Sequence, residues 1–383
     1  MKKFIWRTLS YLLVAVLAST MTMFLFYRQG SGKLSQLSMV IQNQFIGDAD
    51  VAAMEDAAAE AMVNAIGDRW SYYMTAQEYA DSQQQKRNTY VGIGITVSVR
   101  EDKKGFDILK VEEEGPAYEA GIEPGDILIA AAGQDVTELD INAAGDLIRG
   151  ESGTTVEIMV LRGEETPSFT VTREYINMDV AVGTMLPGNI GLVTIENFNS
   201  KCAAESMAAI EDLLEQGATA LIFDVRNNPG GYLSELIDLL DYLLPEGELL
   251  RSVDYSGGEQ VDHSDKKCLK VPMAVLINGN SYSAAEFFAA ALKEYDWAVL
   301  VGQPTTGKGY YQQVVRLIDG SAVNLSMGKY YTPKGVSLAE VGGLTPDVEI
   351  AVDEETDMKI YAGILEPEND PQIQAAIEAL TKQ

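Results

Sequence analysis

The chain has 383 residues, 46% hydrophobic and 22% charged, a globular composition long enough for two or three domains with sizeable cores. Its 28 basic residues stand against 57 acidic ones, and the resulting charge of −29 would repel phosphate backbones, which argues against nucleic acid as a partner. Two cysteines, Cys202 and Cys268, are too few for a disulfide framework, and a single histidine, His263, excludes a His-rich metal site. No cofactor is expected.

Met1-Lys2-Lys3 and Arg7 precede 20 uncharged residues, Thr8 to Tyr27, about the length that spans a bilayer. Positive charge on the short side predicts a single-pass anchor with the remainder extracytoplasmic. A signal peptide cleaved after Ala18 is the competing reading, and the apolar run through Phe26 is too long for a usual signal core. The expected divisions are an anchor over 1–33, a helical segment over 34–89, a β-rich domain over 90–175, an α/β core over 176–350 and a helical tail over 351–383. Leu34 to Arg87 reads as helical in pattern, with Ala, Met, Val and Ile at three- and four-residue spacing from Val51 to Ile66 and a stop at Gly67. Beside an anchor, such helices suit packing or dimerisation.

From Tyr90 the period changes. Val91 to Val97 and Phe106 to Val111 read as strands. Gly115-Pro116-Ala117-Tyr118-Glu119-Ala120-Gly121 and Pro124-Gly125-Asp126-Ile127-Leu128 follow. A helix over Ile141–Arg149 and a strand over Thr155–Leu161 complete a segment that resembles a PDZ domain. Its carboxylate-binding loop would be Gly92-Ile93-Gly94-Ile95. Two glycines there let successive main-chain N–H groups converge on a substrate's terminal carboxylate, and the adjacent strand edge adds the peptide by β-augmentation.

After Tyr175 strands and helices alternate. Ile190–Ile195 and Ala220–Val225 read as strands, as does Ala274–Ile277, with helices over Ala203–Gln216 and Leu233–Leu244. This predicts right-handed βαβ units and a largely parallel sheet covered on both faces, with sites at the strands' carboxyl ends. Three loops lie at such ends: Asn227-Asn228-Pro229-Gly230-Gly231, Asn278-Gly279-Asn280, and the run from Gly302 to Lys308. His263 falls in a polar stretch read as a loop. A last helix, Gln372 to Leu380, suits docking on a partner subunit or on its own core.

Ser283-Ala284-Ala285-Glu286 has the form of a capping box, the ordinary reading of a serine at a helix start. Gly302 to Lys308 fits phosphate-loop spacing, but residue 309 is glycine rather than a magnesium-binding Ser or Thr, and Tyr310–Leu317 alternates like a strand. Taken together, Ser283 and Lys308 make a different pair. A serine at a helix start has main-chain N–H groups beside its Oγ that favour an oxyanion. A lysine rising from an apolar strand end can be desolvated and act as a neutral base.

These residues resemble the C-terminal processing peptidases, tail-specific serine proteases. Lys308 follows Ser283 by 25 residues within Gly307-Lys308-Gly309, and Gln312 follows four later. Asp224-Val225-Arg226-Asn227-Asn228-Pro229-Gly230-Gly231 and Gly343-Leu344-Thr345-Pro346-Asp347 match further family motifs, and the resemblance covers nearly all of the chain past the anchor. It implies an α/β fold in which the PDZ domain precedes a βαβ-type, crotonase- or Clp-protease-like core. The catalytic set would be Ser283, Lys308 and Gln312, and the oxyanion hole Ala284 with Gly230 or Gly231. Substrates would be proteins with accessible C-terminal tails, and the enzyme a homodimer through its N- and C-terminal helices. Arg149, ending the PDZ helix, could signal peptide occupancy to the core; a plain surface arginine is the simpler reading. Tyr282 stands where the family has a small residue and is expected to alter the substrate pocket. The rival from another class is a catalytically idle PDZ scaffold at the membrane, against which all three catalytic residues stand.

Overall fold

The computed structural model describes residues 20–21, 32–100, 104–113, 115–177 and 179–382, so the expected membrane span lies, but for Thr20 and Met21, outside the described residues. Among the described residues no helix is long and apolar enough to cross a membrane. The chain forms two compact units: residues up to Tyr79 with 313–326, and residues 80–312 with 327–383.

In the first unit, α1 (Lys33–Gln44) buries none of its residues, and α2 (Val51–Asn64) starts where the Asp50 carboxylate accepts the Ala53 N–H at 3.1 Å. The expected run of helix is then interrupted by β1 (Tyr72–Met74), which pairs antiparallel with Ala322–Asn324. Two adjacent tyrosines favour a strand, and Tyr73 donates its hydroxyl to Asp56 on α2 at 2.6 Å. Residues 313–326 are therefore compact with this N-terminal segment and not with the core to which the sequence reading assigned them. The helix α3 (Ala76–Gln85) leads out of this unit.

The second unit opens with the β-rich domain: β2 (Thr89–Gly92), β3 (Ile95–Val99), β4 (Phe106–Val111), α4 (Pro116–Ala120), β5 (Ile127–Ala131), β6 (Gln134–Asp135), α5 (Ile141–Ile148), β7 (Thr155–Leu161), β8 (Ser168–Thr172) and β9 (Glu174–Asn177). The expected Val91–Val97 strand breaks at Ile93–Gly94, where Gly94 has φ +78°, a conformation few side chains tolerate. The break sends β2 to pair with β9, while β3 joins the sheet β3-β4-β5-β7-β8. Ile93, Phe106, Ile108, Leu128 and Ile158 are packed in its core.

The α/β core follows: β10 (Ala181–Leu186), β11 (Ile190–Ile195), α6 (Cys202–Glu215), β12 (Ala220–Asp224), α7 (Leu233–Leu243), β13 (Gly247–Asp254), β14 (Glu259–Ser264), β15 (Met273–Ile277), α8 (Ala284–Glu294), β16 (Ala298–Gly302), β17 (Tyr310–Arg316) and β18 (Ala322–Tyr331), whose residues 313–326 belong to the first unit, then α9 (Leu338–Val341), β19 (Val348–Glu349), α10 (Glu354–Tyr361) and α11 (Pro371–Thr381). The six-stranded sheet runs β10-β11-β12-β15-β16-β19, parallel except for the β10–β11 hairpin. Every residue of β12 and β15 is buried, as continuous apolar runs demand when helices cover both faces. On one face α7 contributes Leu236, Leu239, Leu240 and Leu243, a helical stripe, beside Phe287 and Phe288 of α8.

On the other face lie Ile373, Ala376 and Leu380 of α11, so the last helix docks on its own core and its apolar face is not available to a second subunit. The tail belongs to the core. His263 is also placed differently: it is an exposed residue of β14, opposite Glu248 in a hairpin, where a largely polar strand shows no apolar run to read. Cys202 and Cys268 are both free thiols, and burial pushes the Cys202 thiol up to about 12.

A buried charge cluster fixes α11. Arg226 pairs with Asp224 at 2.5 Å and Asp370 at 2.8 Å, and its side chain is only 4% exposed. Burial alone would disfavour the guanidinium's charge, but the two carboxylates more than offset it and hold the group above its ordinary value. Asp370→Ala leaves one buried partner in place, so the loss should sit near the low end for broken buried pairs, about 3 kcal/mol. Urea unfolding measures it; a change below about 1 kcal/mol would mean that α11 docks by apolar contact alone.

Candidate active site

Three strand ends build the site, as strand order predicts. After β12, Asn227 takes a φ of +60° and its N–H donates to Asn278 Oδ1 at 2.9 Å, while Asn278 Nδ2 returns a bond to Asn227 Oδ1 at 2.9 Å. Asn228 Nδ2 reaches the Ile195 carbonyl at 2.7 Å, and its own carbonyl accepts the Tyr282 N–H at 3.1 Å. After β15, Ser281 donates its hydroxyl to the Val225 carbonyl at 2.7 Å. Side-chain amides and a hydroxyl thus lock the Asn227–Gly231 loop against the Asn278–Ser283 loop.

Ser283 sits at the junction of that loop with α8, half-buried, at φ +61° and ψ −125°. This backbone state is costly for a residue with a Cβ and is kept where the surroundings over-determine it. Ser283 and Glu286 form the expected capping-box pair, with the Ser283 N–H donating to Glu286 Oε2 at 3.0 Å. The Glu286 N–H also reaches the Ser283 carbonyl at 2.9 Å.

Glu286 does more than cap. It is fully buried, and its carboxylate also accepts the Thr305 hydroxyl at 2.5 Å, the Gly307 N–H at 2.7 Å and the Lys308 N–H at 2.8 Å. Oε2 thus serves the main-chain nitrogens of Ser283 and Lys308 at once, bringing the two residues together. The capping pattern was visible in the sequence; nothing there signalled the link to the loop after β16.

Of the remaining expected residues, Gln312 lies on β17 and donates Nε2 to the Tyr310 carbonyl at 2.9 Å. Gly230, at φ +85°, is pressed against the serine: a Cβ there would stand 2.7 Å from Ser283 Cβ and 2.8 Å from Ala284 N. Its own N–H donates to Asn228 Oδ1 at 2.8 Å. Ala284 is the first residue of α8. Gly92, Ile93, Gly94 and Ile95 lie in the β-rich domain, with Ile93 in its core; there the Ile93 carbonyl accepts the Ala117 N–H at 2.8 Å and the Gly94 carbonyl accepts the Glu112 N–H at 2.9 Å. Arg149 ends α5, exposed, with Asp146 of the same helix at 3.3 Å.

A small cavity of about 20 Å³ opens beside the serine, lined by Gly231, Leu233, Leu236, Ser283, Ala284, Phe287 and Tyr330. Its four large apolar or aromatic walls went unnoticed in the sequence because helical leucines and phenylalanines read as core. Tyr282, expected to shape the pocket, is not among them; its ring faces Lys308, whose Nζ lies 5.4 Å from the ring centroid. A larger cavity of about 580 Å³ near Lys293, Lys334 and Leu344 includes none of the candidate catalytic residues. Among the described residues no cluster of His, Cys, Asp and Glu could hold a metal ion.

Comparison with known proteins follows the same lines. Residues 189–350 match the model of peptidase family S41, and residues 108–162 match a PDZ domain. The carboxy-terminal processing protease CtpA of Bacillus subtilis is 31% identical over 355 residues, covering 88% of this chain and 75% of that protein. This chain belongs to the carboxyl-terminal processing protease family. The Synechocystis carboxyl-terminal-processing protease is 30% identical over 331 residues, or 85% and 76% of the two chains. An S41 protease from Bacteroides fragilis, 17% identical, shares the fold with a TM-score of 0.61, over 91% of this chain and 97% of that one. The chain is a serine-type endopeptidase with a PDZ domain, and the idle-scaffold reading falls.

Glu286→Gln replaces one acceptor oxygen with an amide NH2 among main-chain N–H groups and should destabilise by about 2 kcal/mol. Peptidase activity should fall at least tenfold at a temperature where the variant remains folded by circular dichroism. Full activity in a folded Gln variant would separate the clamp from catalysis.

Proposed function

We propose that Ser283 is the nucleophile, Lys308 its general base and Gln312 the residue that holds the lysine. The observation that carries this reading is the shared Glu286 carboxylate, bonded to the main chains of Ser283 and Lys308. Neutral Lys308 takes the proton from Ser283 Oγ as the oxygen attacks the scissile carbonyl carbon. The main-chain N–H groups of Ala284 and of Gly230 or Gly231 receive the resulting oxyanion, a contribution of roughly 3 kcal/mol per donor. The ammonium then gives its proton to the departing amine as the C–N bond breaks, leaving an ester on Ser283. Water, deprotonated by Lys308, hydrolyses that ester, and the proton returns to Ser283.

The small cavity beside Ser283, about 20 Å³ and walled by Leu233, Leu236, Phe287 and Tyr330, suits a small apolar side chain next to the cut bond. The PDZ loop Gly92–Ile95 would capture the substrate's C-terminal carboxylate and feed the preceding chain to Ser283, with Arg149 relaying occupancy. Residues 8–27 would anchor the enzyme in the membrane with its catalytic part extracytoplasmic. A second copy would cover apolar side chains exposed on the N-terminal helix, Leu34, Leu37 and Val40 of α1, and Met358 and Tyr361 of α10. The C-terminal half of that interface passes from α11 to α10, because α11 is docked on its own sheet.

Ser283→Ala should abolish cleavage of a protein bearing an apolar C-terminal tail, measured beside wild type by gel and mass spectrometry. Equal cleavage by the two would sink the assignment. Because the neutral amine is the base, kcat/KM should climb as pH rises from mildly acidic to alkaline; a flat profile would remove Lys308 from that role. Phe287→Ala should widen the cavity and raise the rate on peptides with Leu before the cut relative to Ala, by tenfold or more.

A further inference from the structure

We propose that the cavity of about 580 Å³ between the end of α8, the start of β16 and α9 binds a short apolar peptide with both termini free, and that its occupancy is felt at the catalytic loop. Its volume lies in the range of small-ligand sites and accommodates a peptide of about three small residues. Ala290, Val299, Leu338, Val341 and Leu344 give it apolar walls. Of its charged lining, Lys293 and Asp347 pair with each other at 2.7 Å. Glu294 accepts the Thr332 hydroxyl and the Lys334 N–H, each at 2.7 Å. The two remaining charged side chains, Asp296 and Lys334, are exposed and opposite in sign. A peptide's terminal ammonium suits the first and its terminal carboxylate the second, as charge-assisted hydrogen bonds. On the function proposed above, such a molecule is what cutting a protein near its C-terminus releases.

The wall at Gly343 and Leu344 is bonded to the lysine loop. Leu344 donates its N–H to Thr305 Oγ1 at 2.8 Å and accepts the Thr305 N–H at 3.1 Å, and the Thr305 hydroxyl donates to Glu286 Oε1 at 2.5 Å. Gly343, at φ +102°, lies so close that a Cβ would stand 2.5 Å from the Thr305 carbonyl oxygen and 3.0 Å from Gly307 N. A peptide packed on Leu344 therefore bears on the carboxylate that holds the main chains of Ser283 and Lys308. Restraining that wall should keep the two residues in register and raise kcat, whereas a peptide competing at Ser283 would raise KM. The coupling, though not the binding, rests on the roles proposed for Ser283 and Lys308.

The test is calorimetric titration of Ser283→Ala enzyme, which leaves the ligand intact, with alanyl-valyl-alanine, its N-acetyl form and its C-terminal amide. Lys334→Ala and Asp296→Asn should each weaken binding of the free peptide by about threefold. Amidation should cost that factor only while Lys334 is present, and acetylation only while Asp296 is present. A peptide held at the PDZ loop would ignore both substitutions. That result, an absence of binding, or tighter binding of the acetylated form, which would mark a site for an apolar anion, would overturn the proposal. In the active enzyme the free peptide should raise kcat on a reporter substrate about twofold or more, and should not do so in Lys334→Ala. Binding without a change in kcat would overturn the coupling. Cleavage of the reporter by Ser283→Ala would instead remove the catalytic reading and leave the binding result standing.

Discussion

The proposed active site depends on one buried negative charge. Placing a carboxylate where it is fully desolvated is tolerable only when its oxygens are saturated by donors, and Glu286 finds them in the Ser283, Gly307 and Lys308 N–H groups and the Thr305 hydroxyl. The donors come from two segments, a serine with a positive φ and a glycine-flanked loop between strands. The same bonds that satisfy the charge therefore hold the serine elbow and the lysine loop in register.

Around that charge the strands act as a frame. The ends of β12 and β15 are joined by the Asn227–Asn278 pair and by Ser281, and Gly230 is small enough to touch Ser283. On the outer face of the sheet, Asp370 at the start of α11 reaches Arg226, in the loop that follows β12. The last helix is in this way part of the core, a choice the sequence left open between its own core and a partner subunit.

Much of this was legible in the residues. The βαβ alternation, the glycine-rich loops at strand ends and the 25-residue interval from Ser283 to Lys308 led to the sheet and its three loops. What stayed hidden needed the third dimension. The Tyr72–Met74 strand pairs with residues 322–324, and no local period marks so distant a partner. Tyr282 stood out as an unusual residue, but whether its ring met substrate or lysine depended on a rotamer that no spacing encodes.

The central claim, that catalysis passes through an ester on Ser283, is tested most directly by trapping that ester. The full-length enzyme would be mixed with a slowly turned-over peptide ester, quenched in acid, digested and mapped by mass spectrometry. The account predicts the acyl group's mass on the peptide containing Ser283, with the modification at that residue, and its loss in Lys308→Ala. Turnover with no adduct at Ser283, or an adduct on another side chain, would contradict it.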